Sequence, residues 1–176
     1  MSTRKLGAGM YAAAWIGVFA LLTIFFGKWL NQQYNPNQKV QSQITDSGAH
    51  IVTLQRNRDG HYVTSGSING QPVIFLLDTG ASDVSVPAGL ARKLGMQRGQ
   101  PRYYATANGR ITAYMSRLDS LRIGNISLHN VTASINPSSH DNGVLLGMSA
   151  LKQLEFTQRG DTLIIKQAAM SPITER

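Results

Sequence analysis

The chain of 176 residues is long enough for one compact domain with an appendage and too short for two full domains. It has no Cys, which excludes disulfides, iron–sulfur clusters and thiolate zinc sites, and its four His lack metal-ligand spacing, so no metal or other cofactor is expected. Half of the formal net charge of +8 comes from four basic residues in the first 40 positions, and the other basic residues are mostly isolated, which argues against a nucleic-acid partner.

A run of 22 residues without a charge, Leu6 to Gly27, lies near the start of the chain. As a helix that rises about 1.5 Å per residue, it would extend roughly 33 Å, enough to cross the hydrocarbon core of a bilayer. A cleaved signal peptide is the alternative. However, the run is longer than the usual apolar region, and it ends in FFGKWLNQQ, which has no small-residue cleavage pattern. We therefore predict an uncleaved signal anchor.

The charges that flank this run set the expected orientation. Arg4 and Lys5 before the span and Lys28 after it give a modest bias toward a cytoplasmic N-terminus. In a bacterium this predicts a single-pass inner-membrane protein whose following domain faces the periplasm. Residues 31–49 are polar, rich in Asn and Gln and without apolar periodicity, as in a flexible tether. The predicted divisions are a cytoplasmic N-terminus (1–5), a membrane span (6–27), a polar tether (28–49), a folded domain (50–168) and a C-terminal tail (169–176).

From Ile51 onward, short β-favouring runs alternate with turn signals. The pairs Asn69-Gly70 and Asn108-Gly109 each predict a tight hairpin. Short helices are predicted at Pro87–Leu94 and Met148–Leu154. The fold class is therefore all-β, mainly strands with one or two short helices. Strands are predicted, among others, at Ile51–Arg56, His61–Ile68, Gln71–Asp78 and Thr162–Lys166.

An apolar run with a carboxylate at its end is the most informative stretch of the domain. Val73 to Leu77 are five consecutive apolar residues, which predicts a strand buried on both faces, and Asp78-Thr79-Gly80 follows directly. Burying an ionised Asp is costly unless it is paired or hydrogen-bonded, so this is an unusual place for one. A simple turn is the alternative interpretation of Asp-Thr-Gly. A second apolar strand that ends in Gly, Val144 to Gly147, argues against it.

These two elements, in this order and separation, resemble the retropepsin-like aspartic proteases (clan AA, Asp-Thr-Gly-Ala type), most closely the bacterial membrane-anchored members. The resemblance covers about Ile51 to Lys166 and implies a retropepsin-like acid protease half-barrel. It also implies that Asp78 is the catalytic carboxylate. The active-site loop would be supported by Thr79, Gly80, Ala81 and Ser82, and a second active-site strand would be formed by Leu145, Leu146 and Gly147. A flap hairpin would extend from Tyr103 to Tyr114, with Tyr104 in it and Asn108 and Gly109 at its tip.

The sequence departs from the retroviral members of the group at two positions. Those members usually carry Asp-Thr-Gly-Ala-Asp and Gly-Arg, whose Asp and Arg pair near the dimer interface, whereas Ser82 and Met148 stand here. Both partners are missing together, so the retroviral style of dimer locking is not expected and dimerisation in solution should be weak. Asp83, one residue on, is either an exposed residue at a strand end or a substrate contact.

Aspartic proteolysis needs two carboxylates that share a proton, one acting as base toward a water and the other donating to the scissile carbonyl. The chain has a single Asp-Thr-Gly, which is half of such a site. We therefore predict a homodimer in which Asp78 of each subunit faces the other across a two-fold axis and acts on a peptide or protein substrate. Two alternatives remain: a catalytically inactive, membrane-tethered peptide-binding module of the same fold, and a structural periplasmic domain in which Asp78-Thr79-Gly80 is only a turn.

Overall fold

The computed structural model describes residues 3–106, 109–139 and 143–169. The chain divides into two compact units, one up to Tyr34 and one from Asn35 onward. The first unit is a single helix, α1 (Thr3–Tyr34). Its stretch Gly9–Tyr34 has a mean hydropathy of 1.9 and is, by length and composition, able to cross a membrane. The predicted span at 6–27 lies within this helix, which continues into the start of the predicted tether.

The second unit is mostly β, as predicted. Its described residues form two short helices, α2 (Ala88–Lys93) and α3 (Met148–Leu151). The strands are β1 (Gln41–Ile44), β2 (His50–Gln55), β3 (Val63–Ile68), β4 (Gln71–Leu77), β5 (Val84–Pro87), β6 (Pro101–Thr106), β7 (Gly109–Ile123), β8 (Ile126–Asn136), β9 (Gly143–Leu146), β10 (Glu155–Arg159) and β11 (Thr162–Gln167).

The strands form two sheets. One has seven strands in the order β3-β4-β9-β5-β8-β7-β6, and a further pairing between β3 and β7 curls it toward a barrel. The other has four strands in the order β1-β2-β11-β10. The core between them is built from buried aliphatic and aromatic side chains such as Leu54, Phe75, Leu118, Leu146 and Ile165. This mainly antiparallel architecture contains two parallel pairs, β4 with β9 and β5 with β8.

The hairpin predicted at Asn69-Gly70 is confirmed, and so is the strand pairing of the second predicted hairpin, whose predicted turn residue Asn108 lies outside the described residues. Asn69 and Gly70 lie between β3 and β4 with φ angles of 49° and 77°, the left-handed conformation that a two-residue turn requires. Strands β6 and β7 form the second hairpin, in which Thr106 pairs with Gly109. The second predicted helix ends at Leu151 rather than Leu154, and β10, which the pattern did not predict, begins soon afterward.

The tether predicted at 28–49 is wrong from residue 35 onward. Asn35 and Asn37 are buried, with 1% and 4% of their surface exposed. The Asn37 side chain donates to the carbonyl oxygens of Gln55 (2.8 Å) and Val63 (2.7 Å) and accepts from the Gln55 amide (2.7 Å). Strand β1 then pairs with β2. The polar composition was misleading because an Asn amide, when fully hydrogen-bonded, can be buried without a large free-energy penalty.

Strand β4 is buried on one face only, which corrects the prediction of burial on both. Phe75 is completely buried and Val73 nearly so. The alternate residues Ile74 and Leu76 are only half-buried. A continuous apolar run does not show which face stays open, because burial on both faces and an apolar cleft wall produce the same sequence pattern.

Candidate active site

The loop that follows β4 holds Asp78 at the junction of two parallel strands. Leu77 pairs with Leu146 of β9, and the Asp78 amide donates to the Leu146 carbonyl oxygen at 3.2 Å. The Gly80 amide donates to Oδ1 of Asp78 at 2.8 Å, which fixes the orientation of the carboxylate. Asp78 is half-buried, whereas Thr79, Gly80 and Ser82 are exposed and Ala81 is intermediate. The carboxylate is thus held by the backbone and remains accessible.

The β9–α3 junction packs directly against this loop. The amides of Met148 and Ser149 donate to the carbonyl oxygens of Ala81 (2.8 Å) and Ser82 (2.9 Å). Gly147 lies so close that a Cβ at this position would clash with the Asp83 carbonyl oxygen. The structure therefore brings together the two elements that the sequence pattern singled out, the Asp-Thr-Gly loop and the strand that ends in Gly147.

An apolar pair lies beside the carboxylate. Leu76 of β4 and Leu145 of β9 are paired in register, and both are half-buried while their neighbours Phe75 and Leu146 are completely buried. Alternation along a strand places Leu76 on the same side as Asp78. The open face of these two strands is therefore an apolar wall that ends at a carboxylate.

The predicted flap is the β6–β7 hairpin. Gly109 has a φ of 104°, a conformation that glycine adopts without strain. Asn108, predicted at the tip, lies outside the described residues. Tyr104 faces the active-site loop, since its hydroxyl donates to Oδ2 of Asp83 at 2.7 Å. Tyr103 on the same strand is 81% exposed. Tyr114 lies away from the tip, under the guanidinium of Arg98, 3.3 Å from the ring centroid.

Two residues that hold the site together were missed or misjudged by sequence reasoning. The Asp83 side chain is only 11% exposed and accepts from Tyr104, with Arg102 at 3.9 Å, so it is not an exposed strand-end residue. The buried Ser149 hydroxyl accepts from the Val84 amide (3.0 Å) and donates to the Thr132 carbonyl oxygen (2.7 Å). Both roles depend on partners distant in the chain, so no local pattern could have shown them.

Burial raises the pKa of the Tyr104 hydroxyl, and its hydrogen bond to the Asp83 carboxylate raises it further. The phenol therefore stays protonated, as a donor, throughout the neutral range. Among residues 3–106, 109–139 and 143–169, no three His, Asp or Glu side chains are grouped so that they could hold a metal ion.

A β-half-barrel that holds one Asp-Thr-Gly loop against a strand ending in Gly, under a hairpin flap, has the architecture of a retropepsin-like aspartic protease. The chain belongs to the family described as gag-polyprotein putative aspartyl protease, whose profile matches residues 64–153. A crystal structure of a retropepsin-like aspartic protease from Rickettsia conorii is similar, with a TM-score of 0.57 and 30% identity, covering 74% of this chain and 96% of that one.

Two curated proteins are also similar. An uncharacterized protein of Sinorhizobium sp, from the cobV 5' region, is 35% identical over 128 residues, which are 70% of this chain and 55% of that protein. An uncharacterized protein of Rickettsia prowazekii is 29% identical over 163 residues, 87% of this chain and 69% of that protein. The match thus spans just over half the length of the first relative.

Proposed function

We propose that the protein is a membrane-anchored aspartic endopeptidase whose active site forms in a homodimer. The position of Asp78 is the observation that carries the proposal: a half-buried, accessible carboxylate at the end of β4, held by the Gly80 amide. One chain supplies a single Asp-Thr-Gly. The exposed Thr79 and Gly80 leave room for a second loop to approach, so that two Asp78 side chains face each other.

The reaction follows from this pair of carboxylates. With one Asp78 ionised and the other neutral, the ionised one takes a proton from a water, and the neutral one donates to the carbonyl oxygen of the scissile peptide bond. The two protons of the pair leave in two macroscopic steps that belong to both carboxylates together. The flap strand that carries Tyr104 would exclude bulk water from the cleft, with the segment around Asn108 and Gly109 over the substrate.

Substrate preference follows from the half-buried Leu76 and Leu145. An apolar wall beside the reacting carboxylate favours apolar side chains next to the scissile bond, because their transfer from water contributes about 25 cal/mol per Å² of buried surface. The expected substrates are therefore extended peptide segments that contain aliphatic or aromatic residues.

Localisation is part of the same proposal. Helix α1 would serve as a single-pass anchor in the bacterial inner membrane, with the protease domain in the periplasm, as the basic residues before the span suggest. We place the start of the protease domain at Asn35 and its end near residue 168, with a tail at 169–176. Little free chain then separates anchor and domain.

The test uses the chain of 176 residues in detergent micelles with a mixture of denatured proteins, from about pH 3 to 8, a range that includes pH values at which a carboxylate pair holds one shared proton. The wild type should cleave them and Asp78→Asn should not. Asp59→Asn, which changes an acid in an exposed turn, serves as the matched control and should retain activity. Cleavage that persists in Asp78→Asn would exclude the aspartic mechanism. A wild type that binds peptides without cutting them would favour the inactive peptide-binding module.

A further inference from the structure

The junction between helix α1 and the domain has almost no free length. The helix ends at Tyr34, and Asn35, the first residue of the second unit, is already 99% buried, since only 1% of its surface is exposed. Residue 36 is a proline, which fixes its own φ and keeps the residue before it out of the helical conformation. The chain therefore leaves the helix and enters the folded domain directly.

Hydrogen bonds hold the chain on both sides of this proline. The Asn35 side-chain amide donates to the Ser65 hydroxyl at 3.1 Å, and its Oδ1 accepts from the Asn37 amide at 3.0 Å. Asn37 also forms a β-bridge with Thr64, in addition to the bonds that its side chain makes with β2 and β3. Both asparagines thus fix the junction to β3, and it cannot act as a flexible spacer.

Asp78 lies close to this junction. Ser65 pairs with Ile74 of β4, and Asp78 follows Ile74 by four residues. A strand rises about 3.3 Å per residue and paired strands are about 5 Å apart, so Asp78 lies no more than roughly 30 Å from Asn35. The carboxylate at the site is therefore near the point where the chain enters the domain.

The length of the helix determines where that point lies when α1 spans a membrane. Gly9–Tyr34 contains 26 residues. A helix of this length extends about 39 Å, close to the 40–45 Å of a bilayer with its headgroups. Asn35 then lies at the level of the headgroups. For any angle between helix and domain, Asp78 stays within roughly 30 Å of the membrane surface.

We propose that the substrates are segments next to the membrane in other membrane-anchored proteins; this rests on the proposed function, because it needs both the anchor and the endopeptidase. A substrate in the same bilayer has a much higher effective concentration at the cleft than a protein free in solution. A segment that a rigid part of its protein holds farther from the bilayer cannot reach the cleft. The short junction thus selects cleavage sites by their distance from the membrane, in addition to the apolar preference that Leu76 and Leu145 confer.

Two designed substrates measure this reach. Both carry a transmembrane helix and one cleavable segment, taken from a protein that the enzyme cuts in micelles. In the near substrate, the segment directly follows the membrane. In the raised substrate, the transmembrane helix continues through about 50 residues of Glu, Ala and Lys, which places the segment roughly 75 Å higher. In vesicles of phosphatidylethanolamine and phosphatidylglycerol, the wild type should cleave the near substrate about tenfold faster or more.

A matched pair of insertions changes the reach alone. A linker of about 50 Gly and Ser residues between Tyr34 and Asn35 has a mean span of roughly 40 Å and should bring the raised substrate within reach. The same linker after Arg176 leaves the junction intact, so this control should discriminate between the two substrates as the wild type does. If the first insertion cleaves the free peptide in micelles but discriminates as strongly as the control, the proposal is overturned.

Energy transfer measures the distance without any cleavage. The chain has no Cys, so Ser82→Cys introduces a single thiol for a donor dye in the exposed part of the loop that follows Asp78. An acceptor dye on the lipid headgroups should quench the donor strongly. With the linker between Tyr34 and Asn35, quenching should fall about twofold or more, since the domain is then free to move away from the bilayer. Equal quenching with and without the linker would overturn the limit on distance.

The two proposals fail in different ways. If the wild type cleaves the free peptide in micelles but cleaves the near and raised substrates equally fast, the endopeptidase stands and the selection by distance is overturned. If the wild type cleaves nothing, the endopeptidase is overturned and the substrate assignment with it, even where energy transfer shows the Asp78 loop close to the membrane.

Discussion

The Tyr104 hydroxyl donates a hydrogen bond of 2.7 Å to the Asp83 carboxylate and so joins the flap to the loop that carries Asp78. The two residues lie 21 positions apart in the chain. Within the described residues, the flap strand β6 pairs with β7 and with no other strand, so Tyr104 links it to a part of the domain that its backbone does not reach. The guanidinium of Arg102, 3.9 Å from the same carboxylate, adds a weaker electrostatic contact.

Tyr104→Phe should therefore loosen the flap. We expect the free energy of unfolding to fall by about 1 kcal/mol, the usual contribution of one hydrogen bond, and peptide cleavage to fall severalfold. Tyr103→Phe is the matched control, because the neighbouring side chain is 81% exposed and should tolerate the change. Circular dichroism of thermal unfolding and cleavage of a peptide substrate measure the two effects. Equal behaviour of the two variants would contradict a flap-holding role for Tyr104.

The same contact predicts a dependence on alkaline pH. Burial and the Asp83 carboxylate raise the pKa of Tyr104 above its ordinary value of 10.0, so the folded protein binds this proton more tightly than the unfolded chain does. The resulting stability is fully present below that ordinary value and is lost as the pH rises through the folded-state pKa. Phenolate formation can be followed by its absorbance as the pH rises. The titration curve of Tyr104→Phe, subtracted from that of the wild type, leaves the signal of Tyr104, and its midpoint should lie above pH 10.0. A midpoint at or below that value would show that the hydroxyl is not held by Asp83.

Sequence reasoning succeeded where the signal is local. The apolar run before Asp78 and the run that ends in Gly147 are each a strand followed by a tight change of direction. They lie together because the Asp78 loop and the β9–α3 junction share backbone hydrogen bonds. The Asn-Gly hairpin at Asn69-Gly70 was predictable for the same reason, since the turn residues determine their own φ angles.

Long-range polar contacts could not be predicted in the same way. The partners of Asp83, Ser149 and Asn37 lie at distant positions, and a polar side chain has the same sequence signature whether it is solvated or buried with its hydrogen bonds satisfied. For that reason the sequence alone predicts Asp83 at the surface or against the substrate, and it predicts a flexible tether around Asn37.

Ser149→Ala tests one of these buried contacts. It would leave the Val84 amide without its acceptor and the Thr132 carbonyl without its donor beneath the active-site loop. Because unsatisfied buried groups keep their full desolvation cost, we expect a loss of about 1–3 kcal/mol in the free energy of unfolding. Ser116→Ala, which removes an exposed hydrogen bond to the Gln97 carbonyl, should cost much less. Indistinguishable denaturation midpoints for the two variants would contradict a structural role for Ser149.

Gly147→Ala tests the close approach of the two active-site elements. Its φ of −90° suits any residue, so the requirement for glycine is steric: a Cβ would clash with the Asp83 carbonyl oxygen and would lie 2.6 Å from that of Ala81. Both obstacles are backbone atoms, and the loop would have to move. We expect a destabilisation of about 1–3 kcal/mol, the usual cost of overpacking, together with loss of peptide cleavage.

Gly89→Ala in α2 is the matched control, since a Cβ there would have no described atom within 4 Å beyond its own helix and chain neighbours, and Ala favours a helix. It should be as stable as the wild type or more so. If Gly147→Ala were equally stable and active, the Asp78 loop and the strand before Gly147 would not be in the contact described.

Asn37→Ala tests whether the domain begins before residue 50. The Asn37 side chain makes three hydrogen bonds of 2.7–2.8 Å with the backbone of Gln55 and Val63 and thereby joins the segment after α1 to strands β2 and β3. Its removal leaves several buried backbone groups unsatisfied, so we expect a loss of about 2–4 kcal/mol in the free energy of unfolding. Asn37→Asp keeps the acceptor but loses both donated bonds, and should be similarly unstable. Gln38→Ala, which changes the exposed neighbour, should be as stable as the wild type.

Limited proteolysis gives a second measurement. In the wild type and in Gln38→Ala, residues 35–49 should resist cleavage, whereas in Asn37→Ala they should become sensitive. Rapid cleavage there in the wild type would restore the flexible tether, and with it an accessible site at which the enzyme could release itself from its anchor.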